Sequence, residues 1–125
     1  MENVKILIVE DEAITAEDLR IELQKMGYEV CSLAPTGEKA IEIAEKERPD
    51  VALMDIRLRG DMNGFVAAGE IMSRLGIPSI YMTGYPEEKV KAEVITKQPF
   101  GFLSKPVNGD ALKDAINSIL KEKNA

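Results

Sequence analysis

From Val4 to Val9 the chain is apolar at nearly every position, without the alternation of a strand wetted on one side. That pattern predicts a strand buried on both faces. Ala16, Leu19, Leu23 and Met26 then recur at helical spacing, and Gly27 stops the helix. Tyr28 to Ala34 reads as a second strand. Thr36 is placed to cap a helix with Ala40, Ile41 and Ala44 facing inward, and Pro49 ends it. Val51 to Met54 forms a third strand that runs straight into Asp55. A glycine-containing loop, Arg57 to Asn63, leads to a helix expected to bury Phe65, Ala68, Met72 and Leu75. Pro78 precedes a fourth strand, Ser79 to Thr83, followed by a weaker helix from about Glu87 to Lys97 that carries Val90 and Val94. Phe100 to Ser104 is a short fifth strand. The last helix sets Leu112, Ala115, Ile116, Ile119 and Leu120 at helical spacing, with Asn108 as its cap and Val107 and Leu112 as a hydrophobic staple.

Five strand-then-helix units in a row need parallel pairing, because each helix serves as a crossover. Right-handed crossovers distribute those helices over both faces of one sheet. The fold class predicted is α/β, doubly wound, with flavodoxin-like strand order 2-1-3-4-5. No repeat, linker or low-complexity segment interrupts the pattern, so residues 1–125 are read as one domain.

Composition narrows the chemistry. Apolar residues make up 45% of the 125 positions and charged residues 30%, as in a globular protein with a core. No apolar run approaches the ~20 residues that span a bilayer, and Met1-Glu2-Asn3 lacks the basic start of a signal peptide. A cytoplasmic, membrane-free protein is the expectation. Sixteen basic against 22 acidic residues give a net charge of −6 with no basic stripe, which argues against direct nucleic-acid binding. Cys31 stands alone in an apolar run and reads as a small core residue. The chain has no histidine. Imidazole-based triads and zinc sites are therefore excluded, and any bound metal is a hard ion held by oxygen, such as Mg²⁺, Mn²⁺ or Ca²⁺.

In an open parallel sheet, ligands bind beyond the carboxyl ends of the strands. The first strand ends in Glu10-Asp11-Glu12, the third at Asp55, the fourth at Thr83-Gly84-Tyr85 and the fifth at Ser104-Lys105-Pro106. Crowding Glu10, Asp11 and Asp55 together is unfavourable unless a cation lies between them, and Mg²⁺ with its retained waters suits such a set. Asp55 can then act as a nucleophile toward a phosphoryl group, with Lys105 and Thr83 contacting phosphate oxygens. Each residue also has a plainer reading. Acids after a strand complement a helix dipole, Asp55 can form a turn, Thr83 can merely end a strand, and Lys105 can be solvated surface. The combination at the ends of the right strands is what carries the argument.

Four segments carry a resemblance to one family: Ile6 to Glu12, Ala52 to Leu58, Tyr81 to Tyr85 and Phe102 to Pro106. Along its whole length the chain resembles the receiver domain of two-component response regulators. The resemblance implies that Asp55 is the phosphoacceptor and that Glu10, Asp11, Asp55 and the backbone carbonyl of Arg57 hold Mg²⁺, or Mn²⁺ in its place. It makes Thr83 the switch hydroxyl, Lys105 the phosphate-binding lysine and Phe102 the aromatic that turns inward on activation. Arg57 and Tyr85 fall where the family tunes acyl-phosphate lifetime, and the bulky pair is expected to lengthen it. Lys89 to Lys91 and Lys97-Gln98 would belong to the face that changes.

The chain departs from the family pattern in three places. Glu10 replaces an aspartate, Arg59-Gly60 stands where a proline is usual with one extra residue before Asn63-Gly64, and Gly84 replaces an alanine. The implied partners are a histidine kinase or phosphotransfer domain as donor, a downstream protein or an output domain absent from this chain as reader, and a second copy if phosphorylation drives dimerisation. The implied role is a signalling switch, not a turnover enzyme. Three alternatives remain: a flavin carrier, which the acids after strand one disfavour; an aspartate phosphohydrolase, whose nucleophile would end strand one; and a degenerate receiver that binds partners without phosphate.

Overall fold

The computed structural model describes residues 3–96 and 98–123. Five strands alternate with five helices: β1 (Lys5–Val9), α1 (Ala13–Lys25), β2 (Glu29–Val30), α2 (Gly37–Glu47), β3 (Val51–Asp55), α3 (Gly64–Leu75), β4 (Ser79–Thr83), α4 (Glu88–Ile95), β5 (Gly101–Ser104) and α5 (Gly109–Lys123). All neighbouring strands pair parallel, in the order 2-1-3-4-5. Every residue of β3 and β4 is buried, as the unbroken apolar runs require. Side chains alternate across the sheet, so β1 sends Leu7 and Val9 to one face and Ile6 and Ile8 to the other. The first face is covered by α2, α3 and α4, the second by α1 and α5.

The helix ends follow local chemistry. Thr36 Oγ1 accepts from the Lys39 N–H at 3.1 Å, Asn63 Oδ1 from Val66 N–H at 3.0 Å, and Asn108 Oδ1 from Asp110 and Ala111 N–H at 2.8 and 3.1 Å. Gly76 ends α3 in the left-handed conformation with φ 68°.

Several expectations are corrected. The second strand is only Glu29–Val30, although the chain continues to pair with β1 through Cys31 N–H to Ile6 O (2.9 Å) and a bridge at Ala34. The backbone leaves regular pairing after Cys31 and rejoins β1 at Ala34, whose N–H donates to Ile8 O at 3.0 Å. In α2 the buried stripe is Ala40, Ile43 and Ala44, with Ile41 on its flank. In α3 it is Gly64, Ala67, Ala68 and Ile71 together with Phe65, while Met72 and Leu75 are half-buried. Both stripes keep the i, i+3, i+4 spacing, but α2 and α3 face each other as well as the sheet, which rotates the buried sector. Helix α4 buries Ala92 alone, leaving Val90 and Val94 65% and 75% exposed. Phe65, Tyr81 and Phe100 line the sheet face there, with ring centroids 5.1 and 5.6 Å apart, and a cavity of about 460 Å³ remains beside them and Ile95. The fifth strand begins at Gly101, not Phe100, and Lys97 lies outside the described residues.

This reassignment has a direct consequence. Ile71→Ala should lower unfolding free energy by about 3 kcal/mol through cavity formation, whereas Val94→Ala should change it by less than about 0.5 kcal/mol. Urea titrations of the two variants separate the buried position from the exposed one.

Candidate functional site

The sheet register sets the chemistry. Val9 pairs with Met54, Asp55 with Met82 and Thr83 with Ser104, so the carboxyl ends of the four strands lie side by side. Lys105 N–H donates to Thr83 O at 2.8 Å, which ties the segment after β5 to the end of β4. Residues separated by up to 95 positions in sequence thereby meet.

Glu10, Asp11 and Asp55 each present a carboxylate oxygen, and the three atoms lie within 4.8 Å of one another. The Lys105 Nζ donates to Glu10 Oε1 at 2.9 Å and to Asp55 Oδ2 at 3.1 Å. Asp55 Oδ1 accepts from the Arg57 N–H at 3.1 Å. Asp11 Oδ2 accepts from the Arg59 N–H at 3.0 Å, with the Arg59 Nε 3.6 Å away. Lys105 and Arg59 thus face three acids, and the cluster remains short of positive charge.

Glu10 is 3% exposed, and its Oε2 has no hydrogen-bond partner among the described residues. Burial pushes the Glu10 carboxyl up to about 7; the neighbouring Asp55 adds to this, and Lys105 works against it. Burial acts to lower the Lys105 ammonium, but its contacts with Glu10 and Asp55 outweigh that and raise it. A buried carboxylate oxygen without a donor, beside two other converging carboxylates, is the environment a hard divalent cation fits. Glu10, Asp11 and Asp55 are therefore suited to hold Mg²⁺.

Thr83 is 2% exposed, and its hydroxyl both donates and accepts. It donates to Glu88 Oε1 at 2.6 Å and accepts from the Tyr85 N–H at 3.1 Å. Glu88 also lies 3.4 Å from the Arg57 Nε. The Arg57 guanidinium in turn stacks 3.5 Å from the centroid of the Tyr85 ring. A cavity of about 340 Å³ opens here, lined by Asp11, Asp55, Arg57, Thr83, Tyr85 and Lys105 among others. Phe102 is half-buried and packs against the core on the α2–α3–α4 side.

The structure therefore gathers Glu10, Asp11, Asp55, Arg57, Thr83, Tyr85 and Lys105, while Phe102 lies on a packed face behind them. Sequence reasoning missed Glu88 and Arg59. An acid in the first turn of a helix is expected on dipole grounds alone, and nothing in the sequence distinguishes Glu88 from Glu87. Arg59 was visible only as an irregularity of the loop. Cys31 is buried and its thiol is pushed up to about 11, chiefly by burial, in keeping with a packing role. No helix among the described residues is long and apolar enough to cross a membrane.

The sequence model for the response regulator receiver domain matches residues 6–117. The chain is 34% identical over 117 residues to the phyllosphere-induced regulator PhyR of Methylorubrum extorquens, covering 93% of this chain and 43% of that protein. It is 34% identical over 113 residues to the transcriptional regulatory protein PdtaR of Mycobacterium tuberculosis, covering 90% of this chain and 54% of PdtaR. With protein PilH of Pseudomonas aeruginosa it shares 34% identity over 119 residues, covering 93% of this chain and 97% of PilH. Among solved structures, the signal receiver domain of a modulated diguanylate cyclase from Desulfovibrio desulfuricans G20 superposes with a TM-score of 0.88 at 35% identity, over 98% of each chain. The chain thus spans about half the length of PhyR and PdtaR but nearly all of PilH.

Proposed function

We propose that this chain, which belongs to the response regulator receiver domain family, is a phosphoacceptor switch in which Asp55 takes a phosphoryl group from a phosphohistidine donor. Asp55 attacks phosphorus, an O–P bond forms, and the P–N bond to the donor imidazole breaks with return of a proton to that ring. The phosphohistidine lies outside residues 1–125, in a histidine kinase or phosphotransfer domain, since these residues contain no histidine. Glu10, Asp11, Asp55 and the Arg57 carbonyl would hold Mg²⁺, or Mn²⁺. The ion would supply charge neutralisation for the phosphoryl oxygens. Lys105 screens Asp55 as the anionic donor approaches and then follows the oxygens of the new acyl phosphate. Thr83 donates its hydroxyl to one of those oxygens, and Phe102 takes up the space vacated on the inward side. The reader of the changed α4–β5–α5 surface is a downstream protein, an output domain joined to this one, or a second copy of the chain. Residues 1–125 act in this reading as one domain that controls signalling without turning over an external substrate.

The observation that carries the proposal is the placement of Lys105 Nζ between Glu10 and Asp55, beside a buried carboxylate oxygen with no donor. Incubation with acetyl phosphate, with and without Mg²⁺, followed by intact mass measurement, tests it against Asp55→Asn. One Mg²⁺-dependent phosphoryl adduct, missing in the variant, is expected. Absence of an adduct together with absence of Mg²⁺ binding would leave a module that binds its partners independently of phosphate.

Arg57 and Tyr85 line the cavity mouth as a stacked pair, and we read them as a shield against the hydrolytic water. The double variant Arg57→Ala, Tyr85→Ala should lose its phosphoryl group several-fold to about tenfold faster, equivalent to at most ~1.4 kcal/mol of barrier. Decay followed by loss of the mass adduct measures this; an unchanged half-life removes the shield from the account.

A further inference from the structure

We infer that Glu88 is a latch that holds Thr83 away from the phosphoryl site, so that the switch is set by two anions competing for one hydroxyl proton. The inference rests on the phosphoacceptor reading above and adds a positioning residue to it.

A threonine hydroxyl has a single proton to donate. In this structure that proton is committed to the Glu88 carboxylate at 2.6 Å, and the oxygen accepts from the Tyr85 N–H at 3.1 Å. To donate to an acyl phosphate, Thr83 must first leave Glu88. Both competing acceptors are anionic, and the single hydroxyl proton can serve only one of them at a time.

The latch is built, not incidental. Thr83 is 2% exposed and the Glu88 side chain 12%, so water does not readily substitute for either partner. The turn from Gly84 to Glu87 closes through Glu88 N–H to Tyr85 O at 3.0 Å and Lys89 N–H to Pro86 O at 3.1 Å, which aims the first turn of α4 at the end of β4. Arg57 Nε also donates to Glu88 Oε1, the oxygen that Thr83 holds, at 3.4 Å, and is itself held on the Tyr85 ring. Release of Thr83 leaves Glu88 held there by Arg57 alone, which weakens the brace between the β3–α3 loop and α4. A change at one hydroxyl becomes a change in how α4 is tethered. Because Ala92 is the only buried residue of α4, few other contacts oppose that movement.

The test is the apparent affinity of the Mg²⁺-loaded protein for beryllofluoride, an acyl-phosphate mimic, in Glu88→Ala, Glu88→Gln, Thr83→Ala and the Thr83→Ala, Glu88→Ala double variant. Removing a charge-assisted hydrogen bond from the resting state should raise affinity on the order of tenfold in Glu88→Ala. Glu88→Gln, which keeps an acceptor oxygen of the same size but loses the charge, should fall between it and the parent. In the Thr83→Ala background, Glu88→Ala should change affinity by less than about twofold, since nothing remains to be latched. An equal gain in both backgrounds would mean that Glu88 acts only as a nearby negative charge, and the latch would be refuted. No gain in either would refute it too.

A second measurement needs no phosphoryl transfer. In the free protein, the Thr83 γ2-methyl resonance should move in Glu88→Ala toward its beryllofluoride-bound position. Should the parent protein bind no beryllofluoride, the phosphoacceptor reading fails. The latch is then judged on whether Glu88→Ala and Glu88→Gln shift that methyl in the free protein. An unshifted resonance overturns it.

Discussion

Replacing Lys105 by methionine should slow phosphoryl uptake from acetyl phosphate by roughly 10- to 100-fold while leaving divalent binding intact or tighter. The two effects have opposite signs because the ammonium does two things. It screens Asp55 from an anionic donor, at 3.1 Å from Oδ2, and it also competes with a metal for the same acids, at 2.9 Å from Glu10 Oε1. Methionine keeps the length and apolar stem of lysine but supplies no charge. The paired measurement is uptake by intact mass and Mg²⁺ affinity by titration; weaker Mg²⁺ binding alongside slower uptake would mean that lysine merely organises the site.

The same variant has a pH signature in metal-free buffer. Burial raises the Glu10 carboxyl from the ordinary 4.5 to about 7 in the folded protein. The folded chain then keeps a proton that the unfolded chain has released. Stability from this group is full below about pH 4.5 and is lost as pH rises to about 7. Lys105 opposes the rise, so Lys105→Met should extend the declining limb above pH 7. Thermal melts in chelator from pH 5 to 9 compare the two limbs; a limb in the same place for both proteins would separate Lys105 from Glu10.

Gly64→Ala should cost about 3 kcal/mol of unfolding free energy, lowering Tm by on the order of 10 °C. The reason is backbone proximity. A Cβ on Gly64 would meet the Asp55 carbonyl oxygen, and would also lie 2.7 Å from Ile56 Cα and 2.9 Å from Asp55 C. Those atoms belong to the central strand and to the phosphoacceptor's own residue, and they have no room to retreat. Gly64 N–H also donates to Ile56 O at 2.9 Å, so moving α3 away would break that bond. Uptake on Asp55 should fall further than the stability loss explains, because the strand end itself is pushed. Gly69→Ala is the control: nothing lies within 4 Å of its Cβ position, and it should stabilise α3 by about 0.5–1 kcal/mol. Chemical denaturation of the pair tests the contrast; equal stability of the two variants would show that the helix start can slide.

The departures from family pattern acquire physical content in three dimensions. Glu10 reaches Lys105 through Oε1 with its longer arm, and its Oε2 has no hydrogen-bond partner among the described residues. Arg59, in the irregular loop, covers Asp11 and partly neutralises it. At Gly84 no atom lies within 4 Å of where a Cβ would stand, so an alanine there would meet nothing.

Much of this protein was legible from its sequence because the governing rules are local or periodic. Unbroken apolar runs identified β1, β3 and β4, the caps at Thr36 and Asn108 fixed two helix starts, and parallel crossovers left few topologies. The candidate acids, Thr83 and Lys105 followed once strand ends were known. What the tertiary structure alone decided are properties that arise between elements. The face of α4 was not legible, because Val90 and Val94 are apolar and four apart, yet both are exposed and Ala92 is the residue buried. The need for glycine at Gly64 depends on how closely α3 crosses the end of β3. The engagement of Thr83 by Glu88, and of Glu88 by Arg57, depends on a turn whose direction only the packed chain fixes. Sequence determines which groups arrive at the strand ends; distances of a few ångströms, set by packing, determine which of those groups are already occupied.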